Sequence, residues 1–245
     1  MTGALLYLMA IAAAELVTAL VNPVGGMVFH VVILFSLIIH SSFAKHPSRK
    51  LYLALALAPL IRIVSLSMPL SYFTQVHRYL LVAVPLFMAI LVAMRILNFK
   101  PSDVGLTLRK PPLQGVVTLT GVGFGWVEYH ILRPDPLVPT MTLEGVVVAA
   151  LILLAATGFL EELAFRGVMQ RSAEEALGRW GWVYVAVLFS VLYIGYLSAT
   201  QWCFVLLVGL FYGWVVRRTG SLLGVTLSHG ITNIALYIVF PLLAH

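Results

Sequence analysis

The chain holds a single cysteine, Cys203, among 245 residues. That excludes an internal disulfide and any cysteine-rich metal site. Charge is nearly as scarce. Lys and Arg number 15 and Asp and Glu 9, together 10% of the chain, where a soluble domain carries about 25%. No repeat or low-complexity segment stands out. Apolar residues instead make up 61% of the sequence and mean hydropathy is +1.02, which no soluble globular domain sustains. The expected fold class is all-α, a polytopic membrane helix bundle. The net charge of +6 does not point to nucleic acid. The basic residues sit in short connections between apolar runs, as they do where loops anchor at an anionic leaflet, so the expected partner is the lipid bilayer.

A crossing helix needs about 20 apolar residues. Runs of that kind cover residues 4–21, 26–43, 51–71, 79–97, 113–131, 143–165, 181–198, 202–216 and 221–243, giving eight or nine spans. The fifth is the least apolar, because it contains Gly121, Gly123 and Gly125 and ends near Glu128 and His130. No basic stretch precedes the first run, which therefore reads as a retained helix and not a cleaved signal. Basic residues crowd four connections: Lys45 to Lys50, Arg95 to Lys110, Arg166 to Arg179, and Arg217 with Arg218. The intervening loops are neutral or nearly so. The positive-inside rule then places these four connections and the N-terminus in the cytoplasm. Residues 98–112 form the clearest boundary. They separate an N-terminal block of membrane helices, 1–97, from a block 98–245 that contains the most informative polar residues.

Those residues begin at Glu161 and Glu162, set directly behind an apolar run and followed by Arg166. A carboxylate in hydrocarbon costs several kcal/mol unless it is paired or neutralised. Glu162 and Arg166 are four apart and share a helix face, whereas Glu161 points about 100° away. One reading divides the labour: Arg166 neutralises Glu162 and Glu161 faces a cavity as a general base. The other reading is an interfacial ion-pair cluster that ends a membrane helix. A second polar pair, His229 and Asn233, also lies four apart on an otherwise apolar helix. At 1.5 Å per residue His229 lies roughly 12 Å inside its helix, a depth comparable with that of Glu161 from the same side.

Together these residues resemble the CPBP family of intramembrane proteases, which includes the prenyl-protein (CAAX) endopeptidases and bacterial relatives linked to bacteriocin processing and immunity. Glu161-Glu162-Leu-Ala-Phe-Arg166 matches the family's EExxxR motif and His229-Gly-Ile-Thr-Asn233 its HxxxN motif. Arg217 to Leu222 matches the usual lead into the second motif, and Asp103 to Leu106 a segment that often precedes the core. The resemblance covers roughly residues 98–240. It implies an intramembrane endopeptidase that cleaves a membrane-associated peptide or protein near the cytoplasmic leaflet, in a multi-pass protein of the bacterial inner membrane. It also implies roles: Glu161 as general base on water, Glu162 and Arg166 as its supports, His229 and Asn233 as oxyanion stabilisers. The chemistry is consistent with those roles, since hydrolysis needs a base and preorganised donors where negative charge develops.

One motif is missing. The family's intermediate FxxxH histidine has no counterpart in Phe189-Ser-Val-Leu-Tyr-Ile-Gly-Tyr-Leu-Ser198. A hairpin turning near Gly178 and Arg179 would set Glu161 level with position 196, so Tyr196 is the first candidate for that site and Tyr193 the second. With a pKa near 10 a tyrosine is a poor proton shuttle at neutral pH. The departure favours an alternative in which the chain is a non-catalytic relative, binding a partner as an immunity or scaffold protein. His130 is set aside as a substitute, because it and Glu128 fall near the opposite end of the fifth span. Zinc sites gather three or four His, Cys or carboxylate ligands, and only His229 is expected near the glutamate pair. A metal-independent, cofactor-free mechanism is therefore expected. Glu15 and Arg62, the other intramembrane charges, read as a structural pair between the first and third spans, or with Arg62 receiving an anionic group. Histidines 30, 40, 46 and 77 read as interfacial or packing residues.

Overall fold

The computed structural model describes residues 2–68, 72–138 and 142–244. Those residues form helices joined by short connections, with no strand among them. We number the helices α1 (Thr2–Leu20), α2 (Pro23–Phe43), α3 (Ser48–Ser67), α4 (Gln75–Ile96), α5 (Pro111–Leu132), α6 (143–177), α7 (Gly181–Val191), α8 (Ala199–Thr219) and α9 (Leu223–Leu243). Several boundaries have a local cause. Asn22 accepts a hydrogen bond from Gly25 N at 3.0 Å and Pro23 opens α2, an arrangement suited to a first turn whose N–H groups lack helical partners. Thr142 and Ser198 cap α6 and α8 through their hydroxyls. Gly220, at φ +66°, closes α8 in the left-handed conformation that glycine adopts without a Cβ penalty. In α3 the turn at Ala56 precedes Pro59, whose ring nitrogen cannot donate to Leu55.

The protein is an integral membrane protein. Seven helical stretches are long and apolar enough to cross a bilayer, one of them the 54-residue run Leu143–Tyr196. That run reverses at Gly178 (φ +63°), and α7 packs back on the end of α6. Side chains such as Leu5, Met9, Phe35, Val84, Met88 and Leu91 are exposed and apolar, as a lipid-facing surface requires.

Two of the expected spans differ from the folded elements. α5 is 22 residues long but falls outside the seven. Its exposed stripe Val116, Leu119, Val122 and Trp126 is still apolar, and the opposite stripe Gln114, Val117, Gly121, Gly125 and Glu128 is buried. Two of the glycines that lighten it, Gly121 and Gly125, are there for packing. A Cβ on Gly125 would sit 2.7 Å from Thr232 O, so only glycine lets α5 lie this close to α9. The expected span 181–198 is a helix only to Val191. Eleven residues rise about 16 Å, short of the roughly 30 Å hydrocarbon core. Residues 192–198 continue as turns, with Leu197 at φ 51°. Hydropathy reports which residues tolerate lipid, not whether their backbone is helical. Irregular backbone at this depth persists where it lines a cavity, and here it does.

Close helix crossings set the position of the polar residues. A Cβ on Gly158 would lie 2.8 Å from Gly230 N and 2.9 Å from Thr226 O, so α6 and α9 cross backbone to backbone. On either side of Glu161 and Glu162 the helix is wound as π-helix, over Leu153–Phe159 and Leu163–Met169. Such stretches are frequent at functional sites. The segment before α5 docks on the lead into α9. Leu222 N donates to Gly105 O at 2.8 Å and Thr107 Oγ1 to Gly220 O at 2.8 Å. Gly105 has φ +81° and a Cβ there would press on Leu222. The N-terminal block also packs on the rest: Tyr184 donates to Ala4 O at 2.8 Å, and Lys50 pairs with Glu175 at 3.1 Å.

Candidate active site

The EExxxR spacing places Glu162 and Arg166 one helical turn apart, and Arg166 Nη1 donates to Glu162 Oε1 at 3.0 Å. Both side chains are buried, with Glu162 at 0% exposure. The crossing at Gly158 brings α9 alongside, and His229 Nδ1 lies 2.8 Å from the same Glu162 oxygen. A carboxylate can only accept, so Nδ1 carries the hydrogen of that bond. His229 Nε2 then faces Glu161, 3.9 Å from Oε2. The Arg166 guanidinium also lies over the Phe189 ring, 4.2 Å from its centroid, a favourable contact for a buried cation. The buried charge of Glu162 is thus held by two partners, as its desolvation cost demands.

Glu161 is placed differently. Its side chain is 26% exposed and it lines a cavity of about 230 Å³ with Thr157, Phe189, Tyr193, Tyr196, Glu128 and Asn233 among its walls. It also lines an adjoining groove of about 450 Å³ between α3, α4 and α6, whose walls include Ser65, Gln75, Arg78 and Tyr79. Asn233 Nδ2 donates to Thr157 Oγ1 at 2.8 Å, and Thr157 in turn donates to Leu153 O. This fixes the Asn233 amide while leaving its second N–H available. Tyr196 and Tyr193 stack with ring centroids 5.9 Å apart, Tyr196 being 49% exposed. Both border the cavity, and among the described residues neither hydroxyl is hydrogen-bonded to Glu161. No group of three or more His, Cys, Asp or Glu with the spacing to hold a metal ion occurs among the described residues.

Residues 143–235 match the family model of the Rce1-like type II CAAX prenyl endopeptidases. This segment is similar to the CAAX-protease family. It contains Glu161, Glu162, Arg166, Tyr193, Tyr196, His229 and Asn233. No curated protein and no solved structure matches the chain.

The matched segment does not build the cavity alone. Ile61, Arg62 and Ser65 from α3, Tyr79 from α4 and Glu128 from α5 complete its walls. Arg62 Nε donates to Glu15 Oε1 at 2.6 Å, and His30 Nε2 lies 3.1 Å from that oxygen at an angle too poor for a hydrogen bond. Arg62 therefore neutralises Glu15 and also borders the cavity. Sequence reasoning missed Thr157 and Glu128. Thr157 precedes Glu161 by four residues, so the helix period could have shown it on the same face. Glu128 falls near the far end of its span in the sequence. No local signal indicated that the cavity reaches that depth.

Proposed function

We propose that the protein is an intramembrane endopeptidase in which Glu161 activates water to cleave a membrane-associated peptide or protein. The observation that carries this reading is the unequal placement of the two adjacent glutamates. Glu162 is buried and held by Arg166 and His229, while Glu161 borders a cavity and a groove. Glu162 and Arg166 then support the site electrostatically. His229, its Nδ1–H committed to Glu162, presents Nε2 toward Glu161. Protonated there, it and the second N–H of Asn233 supply donors for a developing oxyanion. Tyr196 takes the position that the family gives to a histidine. The mechanism needs neither metal nor cofactor. The groove between α3, α4 and α6 is the path for an extended peptide, and the reading sets the site toward the cytoplasmic leaflet of a bacterial inner membrane with the N-terminus cytoplasmic, supported by the basic residues in the connections. The match to CAAX prenyl endopeptidases directs the first search to peptides ending in cysteine, two aliphatic residues and a variable residue.

The test uses purified protein in liposomes with such a peptide in farnesylated and unmodified forms, read by mass spectrometry. Wild type should release the C-terminal fragment from one of them. Glu161→Gln should release none while keeping its thermal unfolding midpoint, because the amide has the same shape but cannot take a proton. A second reading rests on the tyrosines at the position of the motif histidine: a non-catalytic relative that binds a membrane partner. It predicts that wild type binds a peptide and cleaves neither form.

A further inference from the structure

Amide hydrolysis needs two proton movements: one off the attacking water and one onto the leaving amine. Glu161 accounts for the first. The intermediate histidine of the family pattern is absent, and both nitrogens of His229 face the glutamate pair. Something else on the cavity wall is available for the second. Glu128 lies on α5, outside the segment that matches the CAAX-protease model, and borders the same cavity as Glu161 and Asn233.

Its setting is specific. Glu128 is 7% exposed and Gln201 is fully buried, and Gln201 Nε2 donates to Glu128 Oε1 at 2.6 Å. Gln201 is the third residue of α8, and the Ser198 cap that receives its backbone N–H fixes its position. The amide thus occupies one carboxyl oxygen, and among the described residues Oε2 has no hydrogen-bond partner while Glu128 lines the cavity. Among the described residues no cation lies within ion-pair distance of Glu128, in contrast to Glu15, Glu162 and Glu175. A carboxylate without a cation in such a place is costly, and the protonated carboxyl avoids that cost. With Oε1 accepting from Gln201, the proton belongs on Oε2. The four tyrosines on the wall, Tyr79, Tyr193, Tyr196 and Tyr237, are the competing donors, but a carboxylic acid gives up its proton far more readily than a phenol.

We propose that Glu128 is a second catalytic carboxyl, the general acid that protonates the leaving amine. The inference rests on the endopeptidase reading above. The Glu161 carboxylate takes a proton from water, and the hydroxide oxygen bonds to the peptide carbonyl carbon. The C–N bond then breaks as the Glu128 Oε2 proton passes to nitrogen. A carboxylic acid and an amine leave, and transfer of the proton from Glu161 back to Glu128 restores both groups. Helix α5 is then part of the catalytic machinery, although it lies outside the matched segment.

The experiment separates the two carboxyls by leaving group. Glu128→Gln keeps the shape and still accepts from Gln201, so it should fold, and thermal unfolding in detergent checks that it does. A cleavable peptide is prepared with the scissile amide and, separately, with a p-nitrophenyl ester whose leaving group needs no proton. Glu128→Gln should lower kcat on the amide by about 100-fold, in the range general acids contribute, with KM nearly unchanged. On the ester it should fall less than threefold. Glu161→Gln should abolish turnover of both. Equal amide kcat in wild type and Glu128→Gln overturns the proposal, as does equal loss on amide and ester. If Glu161→Gln retains activity on both, the endopeptidase mechanism itself fails. If Glu128→Gln unfolds, Gln201→Leu tests the same claim: it should lower amide turnover more than ester turnover, and equal effects overturn it.

Discussion

Removing Arg166 tests how the site stays charged inside a membrane. Arg166 is 2% exposed, donates to Glu162 Oε1 at 3.0 Å and lies over Phe189. Arg166→Met keeps much of the apolar bulk but leaves Glu162, at 0% exposure, with His229 as its one remaining partner among the described residues. Breaking a buried pair from one side costs about 3–5 kcal/mol, and the lost cation–π contact adds about 1 kcal/mol. At about 2–4 °C per kcal/mol the unfolding midpoint in detergent should fall on the order of 10 °C. Glu162→Gln should cost less, because the amide oxygen still accepts from both neighbours. The double variant should cost less than the two single changes together, by about 2 kcal/mol, since neither charge is then stranded. Thermal unfolding of all four proteins in the same micelles measures the cycle. A coupling below about 0.5 kcal/mol would refute the claim that Arg166 is there to neutralise Glu162.

Three further outcomes follow from the geometry. Gly158→Ala should destabilise the fold by about 1–3 kcal/mol and lower activity, because its Cβ meets the backbone of Gly230 and Thr226; an unchanged unfolding midpoint would contradict the close crossing. Tyr196→Phe should slow cleavage more than Tyr193→Phe, and Tyr196→His should preserve or raise it by restoring a group that titrates near pH 6.5; comparison of kcat for the three variants decides. Prolonged treatment with EDTA or phenanthroline should leave turnover unchanged, whereas loss restored by zinc would replace the carboxylate mechanism with a metal-dependent one.

The pattern of residues carried much of this architecture. The spacing of Glu162 and Arg166 anticipated their bond because the i,i+4 relation is local and holds in α- and π-wound turns alike. The spacing of His229 and Asn233 put both on one face for the same reason. What stayed hidden depends on contacts between distant segments. The short α7 and the irregular residues 192–198 are as apolar as a full span, so composition concealed the break that opens the cavity. Glu128 and Arg62 border the cavity because α5 and α3 pack against the segment that matches the CAAX-protease model. Nothing near either residue announces that neighbour. Gly121, Gly123 and Gly125 of α5 read as weakness in a membrane span, yet Gly121 and Gly125 are what bring that helix onto α9.

The central claim is that Glu161 directs a water molecule onto a peptide bond, and oxygen isotope transfer addresses it most directly. A cleavable membrane peptide is hydrolysed in a single turnover by the reconstituted protein in ¹⁸O-labelled water, and both products and protein are analysed by mass spectrometry. The account predicts one solvent oxygen in the new C-terminal carboxyl, none in Glu161, and no labelled product from Glu161→Gln. Label appearing in the Glu161 side chain, or labelled product formed equally by Glu161→Gln, would contradict it.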